Sequence, residues 1–443
     1  MANIVPFCGV RYNLRIAGNL SGLITPPYDV IDEQAQHLYY EKTPYNIIRL
    51  EYGEIRASDD SRDNRYTRAA AYYRHWLDEG VLLHDNQPSV YLYEQEFSFN
   101  GGRLTRSGFI SGIGLESYDS GVILPHEETL SHAKADRLEL LSHCRANFSP
   151  IFGLYDDPSL SMENIAARYK QDIPLVTFED ENGEFHRLWL VQNEQDLFRI
   201  QQLFLDKKIY IADGHHRYET ALHHHREAQA TGENQYGFVM MALVNLHDPG
   251  LVILPTHRLV RNVPDFSPQL FLNKLGTIFE ITSSGLPGKD RDAFLCSALR
   301  STMVGVLTDH LFSVYLGDGR LYRLSLPRGK EHQGMCDRYG SRSEAWRGLD
   351  VAILQCLVFE NILGIGREAL QSGTNLSYSR NEARALDDVD AGIFQAAIFL
   401  NPPLVQEVIG VAAAGEKMPQ KSTYFYPKLV TGLVINDFKV SQV

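Results

Sequence analysis

The 443-residue sequence is poor in cysteine, in long apolar runs and in net positive charge. Its five cysteines, Cys8, Cys144, Cys296, Cys336 and Cys356, are far apart, odd in number and form no Cys-x-x-Cys pair. That pattern excludes the usual structural zinc site and dithiol redox chemistry, and it predicts reduced, mostly buried thiols. No apolar run approaches the roughly 18 residues that read as a membrane span. The start, Met-Ala-Asn-Ile-Val-Pro-Phe, lacks the basic and then apolar segments of a secretory leader, so a cytoplasmic protein is expected. The 42 Lys and Arg face 55 Asp and Glu, a formal charge of −13. Non-specific attraction to nucleic acid or to an anionic membrane is thereby disfavoured, although a local basic pocket is not. Internal repeats and low-complexity tracts are also missing.

What is present is an ordinary globular composition, 44% hydrophobic and 22% charged, which excludes disorder. At roughly 100–200 residues per domain the length predicts two to four domains. Tyr66, Ala69, Tyr73 and Trp76 share one face of a helix expected over Arg62–Glu79, with Gly80 as its stop. Ser89–Phe97 and Leu104–Leu115 alternate as strands around Asn100-Gly101-Gly102, and Leu175–Phe178 and His186–Val191 do so around Asn182-Gly183; both read as hairpins. A helix is expected over Lys134–Cys144, and a short strand, Lys208–Ala212, is followed by a polar turn and a helix from about Arg217 to Ala230. Helices are expected over Phe266–Ile278, Asp292–Ser301, Gly348–Leu363 and Leu404–Ala413, and strands over Met303–Leu307, Leu311–Leu316 and Phe394–Leu400.

The sharpest chemical signal is Tyr210-Ile-Ala-Asp-Gly-His-His-Arg-Tyr-Glu219. A glycine turn that opens a helix points unpaired N–H groups and the positive end of the helix dipole at one place, where phosphate is stabilised. His215, His216 and Arg217 add donors, and arginine can bind phosphate bidentately. An Asp N-cap with solvated histidines fits the same residues. His223, His224 and His225 are consecutive, so on a helix they point about 100° apart and cannot converge on one ion. His126 and His132 stand at i and i+6 where a zincin needs i and i+4, which excludes that chemistry. Gly415–Ser422 lacks the second glycine and the following helix of a P-loop, yet Lys421, Ser422 and Thr423 could line an anion site. Asp29, Glu127, Glu128 and Asp213 are the acid–base candidates, and Pro125–Thr129 followed by Lys134, Asp136 and Arg137 is unusually rich in polar chemistry.

Four separated segments share one further pattern: Pro27–Val30, Leu124–Thr129, Asp213–Ala221 and Pro419–Lys428. Together they resemble the domain of unknown function 1015 (DUF1015) family. The Asp-Gly-His-His-Arg turn further resembles the phosphate-binding turn of the ParB and sulfiredoxin superfamily, where the nearest enzymatic analogue is the ADP-dependent free serine kinase. The resemblance implies a mixed α/β (α+β) fold, a ParB/sulfiredoxin-like core with additional β-rich and helical subdomains. In that organisation residues 1–119 form an N-terminal α/β region, 120–260 the phosphate-binding core, 261–345 an inserted α/β subdomain and 346–443 a C-terminal region completing the core. It implies that Gly214, His215 and Arg217 hold nucleotide phosphate, and Lys421 and Ser422 are further candidates from their own chemistry. Asp213 and His216 are the implied catalytic residues, with Glu127 a further acid–base candidate, and His126, Thr129 and Arg137 are candidates for substrate. The implied activity is nucleotide-dependent phosphoryl transfer to or from a small hydroxyl metabolite, with serine and phosphoserine tried first, ADP or ATP as co-substrate and Mg²⁺ as cofactor; the metal ligands are open. The alternative is a nucleotide-binding regulatory switch without substantial turnover. No cysteine lies at the turn, which argues against sulfinic-acid reduction, and no helix-turn-helix with a basic face supports nucleic acid as a partner.

Overall fold

The computed structural model describes residues 1–127, 129, 131–230, 232, 237–286, 309–330, 335 and 339–439. Glu128, Cys296, Cys336 and the expected elements Asp292–Ser301 and Met303–Leu307 lie outside the described residues. The chain forms two compact units: Met1–Pro125, Thr129–Val252 and Pro427–Val443 make the first, and His126–Glu128 and Ile253–Tyr426 the second.

The first unit is mixed α/β. Its main hairpin runs Val90–Phe99 and Gly102–Gly114, with Asn100 and Gly101 at φ of 50° and 78°. Two consecutive left-handed residues give a turn whose twist matches the flanking strands. The main sheet has the order Ile123–Leu124, Ile209–Asp213, Ile151–Tyr155, Phe238–Asn245, Gly102–Gly114, Val90–Phe99, Phe185–Val191, Val176–Glu179, and Ile4–Val5 also pairs with Gly102–Gly114. Phe238–Asn245 is buried at every position after Phe238, as a strand covered on both faces must be. A smaller sheet places Ile435–Asp437 between Gly9–Tyr12 and Ala146–Asn147, so the last strand of the chain is locked into this unit.

Helix Arg65–Asp78 begins three residues later than its periodicity predicts. The Asn64 side chain accepts the N–H groups of Tyr66 and Thr67, while Thr67 Oγ1 accepts the Asn64 N–H at 2.9 Å; this reciprocal cap sets the start. Ala69, Tyr73 and Trp76 are buried as expected.

The second unit is built on an antiparallel sheet with the order Glu280–Gly285, Arg320–Pro327, Asp309–Tyr315, Ala396–Leu400, His257–Val260, Leu376–Ser379. Phe312, Leu324, Leu354, Phe359 and Val411 belong to one core cluster in it. Gly348–Leu363, expected as one amphipathic helix, is instead an α-turn over Asp350–Ile353 that widens into a π-helix over Leu354–Ile362. Leu354, Cys356, Leu357, Val358 and Phe359 are all buried, so the segment is enclosed on most sides and has no broad solvent face. Among the described residues no helix is long and apolar enough to cross a membrane.

Candidate functional site

Strand Ile209–Asp213 pairs parallel with Ile123–Leu124 and antiparallel with Ile151–Tyr155. Asp213 stands opposite Phe152, so the preceding residues Ser149 and Pro150 run alongside the turn that follows Asp213. Gly214 has φ 92°, and a Cβ there would lie 3.0 Å from Arg217 Nε and Nη2. Glycine is required twice, by the left-handed backbone and by the close approach of the guanidinium. Helix His215–Ala230 then begins, with His215, Tyr218 and Ala221 buried, and packs on helix Ser131–Cys144. Tyr218 pins it: the hydroxyl donates to Glu116 O at 2.8 Å and accepts the Glu116 N–H at 3.0 Å.

Both oxygens of Asp213 are engaged. Oδ1 accepts the Gly214 N–H at 2.8 Å and Oδ2 accepts Lys428 Nζ at 2.7 Å. Burial alone would raise the carboxyl, but the charges of Lys428 and Arg217, with His215, reverse this and hold it well below the usual carboxylate range. A carboxylate stabilised to this degree is a weak proton acceptor at neutral pH and a strong anchor for Lys428.

Arg217 Nη1 donates to Ser149 Oγ at 3.0 Å and to Pro150 O at 2.7 Å, whereas its buried Nε has no hydrogen-bond partner. Native proteins rarely leave such a donor unsatisfied unless a water, ion or ligand takes it. Next to Arg217 is a cavity of about 40 Å³ that Glu51, Arg137, Ser149 and Thr220 also line. Glu51 Oε1 accepts Ser149 Oγ at 2.9 Å and Arg137 Nη1 at 3.2 Å. Burial raises the Glu51 carboxyl, and Arg137 and Arg217 only partly oppose it. Arg137 is itself held by Asp136 through Nε and Nη2, at 2.8 and 2.6 Å, and its guanidinium lies 4.0 Å from the Tyr28 ring centre.

The structure thus brings Asp213, Gly214, His215, His216 and Arg217 together in one turn of the first unit, with Arg137 lining the same cavity as Arg217. Thr129 belongs to the same unit, and its Oγ1 donates to Glu219 Oε2 at 2.7 Å beside Lys134 Nζ at 3.1 Å. Asp29 is exposed in a short turn over Tyr28–Val30. His126, Glu127, Lys421 and Ser422 belong to the second unit. There Glu127 Oε1 accepts the Lys421 N–H at 2.7 Å, Ser422 Oγ donates to Pro419 O, and His126 Nε2 lies 2.9 Å from Thr423 Oγ1. Met418 N–H donates to His126 O at 2.7 Å. Sequence reasoning missed Lys428, Ser149 and Glu51. Lys428 ends the Pro419–Lys428 segment and was visible there; nothing local marks Ser149 or Glu51.

The family described as protein of unknown function, DUF1015, matches residues 4–352, and the chain belongs to it. No curated protein matches. Among solved structures, the chain is similar to a conserved hypothetical protein from Pyrococcus furiosus, 14% identical over 72% of this chain and 94% of that one, with a TM-score of 0.34. A variant of a free serine kinase in complex with AMP is 12% identical over 71% of this chain and 90% of that one, with a TM-score of 0.34. SbnI with a C-terminal truncation, from Staphylococcus aureus, is 11% identical over 75% and 89% of the two chains, with a TM-score of 0.35.

Proposed function

We propose that the first unit binds the phosphates of ADP or ATP at the Gly214 turn, within a ParB/sulfiredoxin-like core, and transfers a phosphoryl group to or from the hydroxyl of a small metabolite. The observation that carries this reading is the unsatisfied Arg217 Nε–H beside the left-handed Gly214 at the start of a helix. Together these present a charged donor and a helix N-terminus to one anion. The likeness of the Asp213–Arg217 segment to the turn of the free serine kinase supports serine as the first acceptor to try.

In this reading Gly214, His215 and Arg217 hold phosphate. Lys428, fixed by Asp213, supplies a further positive charge as the transferring group loosens, since such transfer depends on positioning and charge neutralisation. The low proton affinity of Asp213 assigns it to anchoring Lys428. His216 is the residue type suited to move a proton near neutral pH. Mg²⁺ takes oxygen ligands and keeps most of its waters; both Asp213 oxygens are taken, by the Gly214 N–H and by Lys428, so at this turn the ion would be held by nucleotide phosphate and water. Bound there, Mg²⁺ would neutralise phosphate charge.

Phosphorus NMR of ADP with serine and Mg²⁺, under many turnovers, tests the reading. The expected result is AMP and phosphoserine in equal amounts, together with product from ATP if either nucleotide serves. Nucleotide binding without phosphorylated product from a panel of hydroxyl metabolites would contradict transfer and leave the regulatory switch.

A further inference from the structure

We propose that Asp180, Glu184 and His186, at the hairpin of Val176–Glu179 and Phe185–Val191, form a binding site for one first-row transition-metal dication, Zn²⁺ in the first instance. The site does not depend on nucleotide binding and shares no residue with the Gly214 turn. One ligand atom from each of the three residues lies within 4.8 Å of the others.

The histidine separates this cluster from an ordinary acidic turn. His186 has no exposed surface, and its Nε2 has no hydrogen-bond partner. Asp180 Oδ2 lies 3.5 Å from that nitrogen, beyond the range of a sound hydrogen bond. The other ring nitrogen, Nδ1, lies 2.7 Å from Tyr93 Oη, and the Phe178 ring stacks on the imidazole at 4.6 Å. In the tautomer whose Nδ1–H donates to Tyr93 Oη, Nε2 carries a lone pair beside the two carboxylates; an outer partner of this kind fixes the tautomer of metal-binding histidines.

Each carboxylate is held from behind. Asp180 Oδ1 accepts the N–H groups of Asn182 and Glu184 at 2.9 and 3.0 Å, which leaves Oδ2 with a long 3.4 Å contact to Asn182 Nδ2. Glu184 Oε2 accepts Gln95 Nε2 at 2.6 Å, which leaves Oε1. A dication would supply the positive charge that two buried carboxylates need. An imidazole with two carboxylates suits Zn²⁺, Co²⁺ or Mn²⁺ better than Mg²⁺ or Ca²⁺. Bonds of about 2.0–2.2 Å would draw the three atoms inward until they lie roughly 3.3–3.6 Å apart. Gln95 Nε2 also donates to Lys428 O at 3.0 Å, so an occupied site would steady the backbone of the lysine that pairs with Asp213.

The test is Co²⁺ titration of the full chain after chelator treatment, followed by visible ligand-field absorption, with Zn²⁺ as competitor. One equivalent of Co²⁺, displaced by Zn²⁺, is expected, with affinity at least 100-fold lower in Glu184→Gln and His186→Gln while circular dichroism is unchanged. No saturable uptake by the wild type would overturn the proposal, as would unchanged affinity in His186→Gln. If those variants do not fold, Tyr93→Phe decides. It keeps all three ligands but removes the outer hydrogen bond, so affinity should fall about 10–100-fold; an unchanged value would overturn the assignment.

Discussion

The chain contains two polar turns with residue types suited to an anion, one at Asp213–Arg217 in the first unit and one at Pro419–Thr423 in the second. Each has a residue in the left-handed region, Gly214 at φ 92° and Lys421 at φ 55°, and each combines basic and hydroxyl or carboxylate chemistry. Their donors go to different places. In the second turn the Lys421 amide is spent on Glu127 and the Ser422 hydroxyl on Pro419 O. In the first turn the Gly214 amide is likewise spent, on Asp213, but Arg217 Nε is buried and unsatisfied, and Asp213 also holds Lys428. Residue types identify a turn that could bind an anion; only the fate of each N–H identifies one with capacity to spare.

The largest expected difference between the turns is in stability. Asp213→Asn removes the carboxylate charge that faces the mostly buried Lys428, and loss of one partner of such a pair costs about 3 kcal/mol. Glu127→Gln retains an acceptor for the Lys421 amide and loses only a charge near the buried Arg258, so it should cost about 1 kcal/mol. Urea unfolding of both variants checks this, and adding Lys428→Met to Asp213→Asn should recover part of the loss. Equal effects of the two single changes would dissolve the distinction.

Backbone strain offers a second contrast. Gly214→Ala forces a side chain into the left-handed region and against Arg217, at a cost of about 1–3 kcal/mol. Lys421→Gly relieves the same conformation and should gain about 0.5–1 kcal/mol. Opposite shifts in melting temperature are the expected readout.

Acidification sharpens the comparison further. The folded-state pKa of Asp213 is depressed relative to the unfolded chain, so its stabilising contribution is complete above the ordinary carboxylate value of about 4 and is lost as pH falls below it. Wild type should therefore lose stability below about pH 4 more steeply than Asp213→Asn, as unfolding midpoints between pH 2 and 6 would show. A further loss is expected from Tyr218→Phe, which strips the Glu116 N–H of its partner and costs about 1 kcal/mol in thermal unfolding.

Much of the local structure was legible. Asn100-Gly101 and Asn182-Gly183 specify their hairpins through the left-handed residues such turns need, and Gly214 marks the turn before the helix. The buried path of Leu354–Phe359 was not legible, because an apolar run reads as helical whether it is enclosed or half-exposed. Within the candidate site, Asp213, Gly214 and Arg217 stand out by spacing. Lys428, Ser149 and Glu51 reach the turn through sheet pairing and chain return, and no local pattern encodes contacts between residues more than 60 positions apart.

The central claim, that the Gly214 turn binds nucleotide phosphate through the Arg217 fork, is tested most directly by calorimetric titration of ADP into wild type and Arg217→Lys at low salt. Lysine keeps the charge and loses the planar donors, so the account predicts saturable binding by wild type and an affinity lower by about 1–3 kcal/mol in the variant, with the variant still folded by circular dichroism. Equal ADP affinity in the two proteins, or no binding by the folded wild type, would contradict it.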